Sequence, residues 1–178
     1  MGTKTSLKTY IVSWYGPFYS LEEMAEWQNQ QDNEFCLYLL QGKKPKAKAY
    51  SYYCGQTLRN VPERFRDKDH PINSIPNRQS IWIGTLETPH NSRSINIAEN
   101  LFIYLFISLL YNKSDKQCLN KCKLYFHEQK HNMFFISRRH NPNRNLQPEC
   151  SIKRLIPDAV AYIASADKIE TANSLSSL

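Results

Sequence analysis

Two short aromatic runs, Phe35 to Leu40 (FCLYLL) and Tyr50 to Gly55 (YSYYCG), are joined by a lysine-rich link over residues 41–49. Each run has the length and the aromatic content of a buried strand. The link contains Gly42 and Pro45 and is too long for a tight two-residue turn, so it reads as a hairpin with an extended loop. Directly after Gly55, Asn60-Val-Pro-Glu63 reads as a helix-capping signal with Pro62 in the first turn. The helix that follows carries Arg64 and Arg66 and should end at His70-Pro71. A hairpin presenting two tyrosines, followed at once by an arginine helix, limits both the fold and the chemistry of the rest of the chain. Two inward-facing tyrosines with a nearby arginine make a candidate phosphodiester-cleaving site, which lacks a carboxylate for a metal.

Around this stretch the order of elements is readable. Thr9 to Trp14 (TYIVSW) is β-branched and aromatic and predicts a strand ending at the turn Gly16-Pro17. Ser20 and Glu23 form a capping box, which opens a helix running to about Gln30. Ile81 to Leu86 predicts a third core strand. Ile95 to Leu110 is apolar throughout, and its length favours a buried helix over a strand. On that helix Glu99 shares a stripe with Phe102, Ile103, Phe106 and Leu110, and a carboxylate there needs a partner or an outlet to solvent. Met133 to Ser137 predicts another strand, and Arg138 to Pro148 an Asn/Pro/Arg loop. Pro157 to Ala164 predicts a short final helix, and Thr171 to Leu178 a frayed tail.

A chain of 178 residues suffices for one domain with a sizeable core. Its longest apolar run, Leu101 to Tyr111, is far below the roughly 20 residues of a bilayer span. The first ten residues are polar and basic rather than apolar, and the cysteines are odd in number, so a cytoplasmic protein with reduced thiols is expected. The net charge of +7 is unevenly spread. All charges between residues 21 and 34 are negative, which places the first helix away from a polyanion or against a basic partner surface. Lys43, Lys44, Lys46, Lys48, Arg64 and Arg66 then cluster, and Arg138, Arg139 and Arg144 belong to a second basic region. Two basic clusters bracketing a candidate site point to a surface that tracks a nucleic-acid backbone.

The ordered set of residues resembles the GIY-YIG nuclease family. Cys36-Leu37-Tyr38 and Tyr53-Cys54-Gly55 match the two family tripeptides, with cysteine where the first usually has glycine and the second an apolar residue. Arg64 matches the family's helix arginine, and Glu99 its metal-binding glutamate at the start of a later apolar helix. Asn120 in Cys118-Leu119-Asn120 is the best match to the family's late asparagine, with Asn112 a competing match. His70 is the nearest candidate for the histidine that some members carry, although as a residue beside Pro71 it also reads as a helix terminator. The resemblance covers about Phe35 to Lys123.

The resemblance implies an α+β fold: a small three-stranded central sheet, mixed or antiparallel, flanked by helices. Residues 35–123 would be the nuclease core, 1–34 an N-terminal strand-helix extension, and 124–178 a C-terminal extension that contacts DNA. It implies a metal-dependent endonuclease that hydrolyses phosphodiesters in double-stranded DNA, most similar to free-standing, sequence-specific type II restriction enzymes. The catalytic set would be Tyr38, Tyr53, Arg64, Glu99 and Asn120. Glu99 would hold Mg²⁺ or Mn²⁺, because one carboxylate suits a hard ion that keeps its waters. Lys43, Lys44, Lys46, Lys48, Arg66, Arg138, Arg139 and Arg144 would contact DNA, and a double-strand cutter would act as a homodimer or by sequential nicking. The alternatives are an inactive nucleic-acid-binding module of the same fold and a repair or mobile-element nicking nuclease. A rival metal constellation, Cys118, Cys122, His127 and His131, has zinc-type ligands but a shorter central gap than a zinc finger.

Overall fold

The computed structural model describes residues 7–31, 35–88, 90–110, 116–120, 131–147 and 151–173. In chain order the strands are β1 (Leu7–Phe18), β2 (Cys36–Lys43), β3 (Tyr50–Thr57), β4 (Asn77–Thr88), β5 (Lys116–Cys118), β6 (Asn132–His140), β7 (Ala159–Ile163) and β8 (Lys168–Ala172). The helices among the described residues are α1 (Leu21–Asn29), α2 (Val61–Phe65) and α3 (Ser92–Leu110), with short 3-10 turns at Pro71–Ser74 and Ser151–Arg154. The eight strands of the described residues form one sheet in the order β5-β3-β2-β4-β1-β6-β7-β8. No described helix is long and apolar enough to cross a membrane.

This corrects the expected fold class. The protein is mostly β, a curled eight-stranded mixed sheet resembling a half-barrel, rather than a small three-stranded sheet flanked by helices. The cause is the N-terminal strand. β1 lies inside the sheet, antiparallel to β4 on one side and parallel to β6 on the other, with nine consecutive partners from Leu7↔Asn132 to Tyr15↔His140. The segments expected as extensions thus supply β1, β6, β7 and β8 to the same sheet as the middle of the chain.

Alternation along the central strands sorts the core into two layers. From β2, Leu37 and Leu39 join Val12, Trp14, Ala98, Leu101, Phe102 and Phe106 on the face covered by α3. Trp14 meets the edge of Phe102 at 5.1 Å between ring centres. Cys36, Tyr38 and Leu40 point the other way and join Met24, Trp27, Val61 and Phe65 of α1 and α2. Because β2 is buried on both faces it reads as an unbroken apolar run. Each fully buried Leu or Phe contributes about 1.5–3 kcal/mol.

Several local expectations also change. β1 continues past Gly16-Pro17 to Phe18 instead of stopping there. The segment expected as a final helix contains β7, in which Val160 and Tyr162 are buried and Ala161 and Ile163 half-buried. This is a two-residue period, which a helix does not give. Thr171 and Ala172 close β8 rather than fraying. Arg138 and Arg139, expected in a loop, lie in β6. The short strand β5, parallel to β3, was not anticipated.

Candidate functional site

Tyr38 and Gly55 are direct cross-strand partners in the β2–β3 hairpin. Gly55 lies within β3 and acts through its missing side chain. A Cβ there would come within 2.5 Å of Tyr38 Cζ and 2.8 Å of Cε2. Tyr53, two residues earlier on the same face, stands with its ring centre 6.1 Å from that of Tyr38. Phe65 of α2 closes on Tyr38 edge-on at 5.1 Å. Tyr38 is fully buried and Tyr53 half-buried.

Arg64 is carried by the five-residue helix α2, too short to be stable alone. Asn60, expected to cap it, makes no side-chain capping bond. The cap comes instead from α1: Gln28 Oε1 accepts from Val61 N–H at 3.0 Å, and Gln28 is itself buried. Gln28, on the inner face of α1, thereby buttresses the arginine helix. Arg64 hydrogen-bonds the Tyr38 hydroxyl and forms an ion pair with Asp67.

His70 does two things at once. Its Nδ1 accepts from Ile72 N–H at 3.2 Å, which caps the 3-10 turn, and its Nε2 lies 3.0 Å from Tyr38 Oη. Burial, then the Arg64 cation, pushes its pKa down to about 4, so the ring is neutral near pH 7. With Nδ1 accepting, the ring proton sits on Nε2, and His70 donates to Tyr38. Tyr38 oxygen therefore accepts from His70, with the Arg64 guanidinium and Tyr53 beside it. Burial raises the Tyr38 pKa strongly, the neighbouring Tyr53 adds to this, and Arg64 opposes it. Tyr38 in the free protein is a phenol, not a phenolate.

Glu99 reaches this cluster from α3 along the edge of β3. Among the described residues β5 pairs with Tyr50, Ser51 and Tyr52. Beyond it the outward-facing backbone groups of β3 are taken by side chains. Asn120 accepts from Cys54 N–H at 2.9 Å and donates to Cys54 C=O at 2.6 Å. One step further along, Glu99 accepts from the Gln56 N–H. Asn96, also on α3, hydrogen-bonds the Gln56 side chain. Burial lifts the Glu99 pKa to about 7, with the Gln56 N–H and Arg64 pulling it back, and the Glu99 charge in turn raises Tyr53. Tyr38, Tyr53, Arg64, His70 and Glu99 thus form one connected cluster. Asn120 is joined to it through the backbone of Cys54, with both ends of its amide occupied.

The residues expected to contact DNA are dispersed. Lys43, Lys44 and Lys46 line a concavity of about 390 Å³ together with Asn77 and Arg78, and Lys48 is exposed on the same loop. Lys43 sits over the ring of Tyr50 at 4.4 Å. Arg66 and Arg144 are exposed, and Arg138 pairs with Glu87 at 3.0 Å. Arg139 leaves the set: it is 3% exposed, forms an ion pair with Asp158 and donates to Ile156 C=O at 2.9 Å. Of the rival zinc ligands, Cys122 and His127 lie outside the described residues, as does Asn112. No group of three or more metal-ligating side chains occurs among the described residues.

The single carboxylate of Glu99 has the chemistry for one hard divalent cation that keeps most of its water. Its raised pKa marks a charge that lacks full compensation, and an added cation would supply it. Gln28, Gln56 and Asp67 were not anticipated as parts of the site. The helix position of Gln28 next to an uncapped α2 is visible only once α1 and α2 are seen to pack together. Searches of family models, curated proteins and solved structures returned no match to this chain.

Proposed function

We propose that the chain is a metal-dependent endodeoxyribonuclease, similar in its site to the GIY-YIG restriction endonucleases, that cuts double-stranded DNA. The observation that carries this reading is the His70–Tyr38 hydrogen bond with Tyr53 beside it, Arg64 at the Tyr38 oxygen and Glu99 near Tyr53. Core packing alone requires no arginine on a buried phenol and no carboxylate held near pKa 7 next to a second phenol.

In this reading Arg64 donates to the phosphate oxygens as charge builds on them. Tyr53, the more accessible hydroxyl, positions the attacking water. For Tyr38 to serve as the base its own proton must first leave to solvent past Tyr53; His70 Nε2–H and Arg64 would stabilise the phenolate so formed, which then takes up the water's proton and returns to the phenol. Gly55 keeps Tyr38 in place, and Asn120 holds the strand edge from which Tyr53 projects. Glu99 is the residue that would hold Mg²⁺ or Mn²⁺, and such an ion would offset charge on the phosphate and favour phenolate over phenol. Lys43, Lys44, Lys46, Lys48, Arg66, Arg138 and Arg144 supply backbone contacts.

The test is digestion of genomic DNA with purified protein and Mg²⁺. Discrete fragments support a sequence-specific restriction activity, and indiscriminate nicking supports a repair-type or mobile-element nuclease. Intact DNA together with retained binding would mean an inactive binding module.

A further inference from the structure

The mouth of the site is a concavity of about 380 Å³ lined by Gln56, Thr57, Leu58, Arg59 and Arg64. Two of these are arginines, and one carboxylate holds both. Arg59 Nη2 donates to the two oxygens of Asp67 at 2.8 and 2.6 Å, and Arg64 Nη1 donates to Asp67 Oδ2. The side chains are 49%, 36% and 34% exposed for Arg59, Arg64 and Asp67, so the group stands at the solvent boundary. Ion pairs in such a position add little to stability. The surrounding backbone is nevertheless closely fixed. Arg59 N–H donates to Thr57 Oγ1 at 3.1 Å, and the Asp67 carbonyl accepts from His70 N–H at 3.0 Å and from Asn73 Nδ2 at 3.3 Å.

Two guanidinium groups on one carboxylate leave an excess positive charge facing the concavity. The carboxylate offers them two oxygens in one plane, which is also what the non-bridging oxygens of a phosphodiester offer. Arg64 is already committed to Tyr38 in the proposed site. Arg59 touches none of that cluster, yet it shares an anchor with Arg64 and lines the same opening.

We propose that Asp67 stands in for a DNA phosphate, holding Arg59 and Arg64 as a preformed two-arginine clamp that passes to a backbone phosphate when DNA enters, so that Arg59 is a second phosphate-binding residue. The identity of the ligand rests on the nuclease reading above; the geometry of the clamp does not. Preorganisation lowers the ordering cost of two long side chains. It also makes Asp67 an internal competitor of the ligand, and this fixes the sign of its effect.

The experiment is fluorescence anisotropy of a labelled DNA duplex titrated in EDTA over a series of salt concentrations, with each variant's melting temperature measured alongside. Arg59→Ala is expected to weaken binding by about tenfold and to reduce the slope of log affinity against log salt by about one. Arg59→Lys keeps the slope and recovers part of the affinity. Asp67→Asn is expected to bind the duplex several-fold more tightly than wild type. A wild-type slope in Arg59→Ala, weaker binding by Asp67→Asn, or no duplex binding by the wild type overturns the clamp. Because EDTA prevents cleavage, the nuclease reading is judged separately, by adding Mg²⁺ to plasmid DNA. Uncut plasmid with an altered Arg59→Ala slope removes the nuclease and leaves the clamp; cut plasmid with an unaltered slope does the reverse.

Discussion

The phenol of Tyr38 occupies the space that a side chain at Gly55 would need. One methyl group at Gly55 must displace either the β3 backbone or the tyrosine, and with it the contacts to His70, Arg64 and Tyr53. Gly55→Ala is therefore expected to cost about 1–3 kcal/mol in a denaturant melt, as overpacked cores do. Its cleavage rate should fall as far as that of Tyr38→Phe. Wild-type stability and rate in Gly55→Ala would show that Tyr38 is not held by this contact.

His70 should remain a neutral donor well below the pH at which a free histidine charges. Nitrogen NMR of the imidazole is expected to show the Nε2–H tautomer at pH 6 and titration only near pH 4. His70→Ala removes a donor to Tyr38 and should slow cleavage by about 10²-fold. A charged His70 at pH 6 would contradict the donor assignment.

Glu99 and His70 act on stability in opposite senses over nearly the same pH range. The Glu99 pKa is raised from 4.5 to about 7, so the folded state holds the proton that the unfolded state releases, and stability falls as pH rises through this interval. The His70 pKa is lowered from 6.5 to about 4, so the unfolded state takes the proton, and stability falls as pH drops through that interval. In the metal-free wild type the two largely cancel. Glu99→Gln should expose the His70 effect, with stability lost from pH 6.5 to 4. His70→Gln should expose the Glu99 effect, with stability gained from pH 7 to 4.5. Denaturant melts at several pH values check both signs.

Arg138 and Arg139 are neighbours with different roles. Arg139→Ala leaves Asp158 largely buried without its main partner and should cost about 3–5 kcal/mol, with no change in the salt dependence of DNA binding. Arg138→Ala removes a half-exposed pair and should cost less than about 1 kcal/mol while reducing the salt slope. Thermal melts and salt-dependent binding on the same preparations separate the two.

What could be read in the chain follows the range of the interactions. The β2–β3 hairpin and α3 were legible because their signals are local: two aromatic runs with a loop between them, and one long apolar segment. The parallel pairing of β1 with β6 was not, since it joins Leu7 to Asn132 and no local pattern encodes a partner so distant. Missing that pair turned an interior strand into an extension and reduced an eight-stranded sheet to three strands. β7 misled because five residues rich in Ala and Val satisfy either period until burial decides between them. Glu99 could be singled out as a carboxylate on an apolar stripe, but its acceptor bond to Gln56 depends on where β5 stops. Arg139 looked like part of a basic loop because its partner Asp158 is distant in sequence.

In the proposed function Tyr38, Tyr53, Arg64, His70 and Glu99 act together on a phosphodiester. Relaxation of supercoiled plasmid in Mg²⁺ by wild type, Tyr38→Phe, Arg64→Ala and Glu99→Ala, each verified folded, tests it most directly. The expected result is cleavage by the wild type that EDTA abolishes, with each variant slower by about 10²-fold or more. Wild-type plasmid left intact, or variants that cut at the wild-type rate, would contradict it.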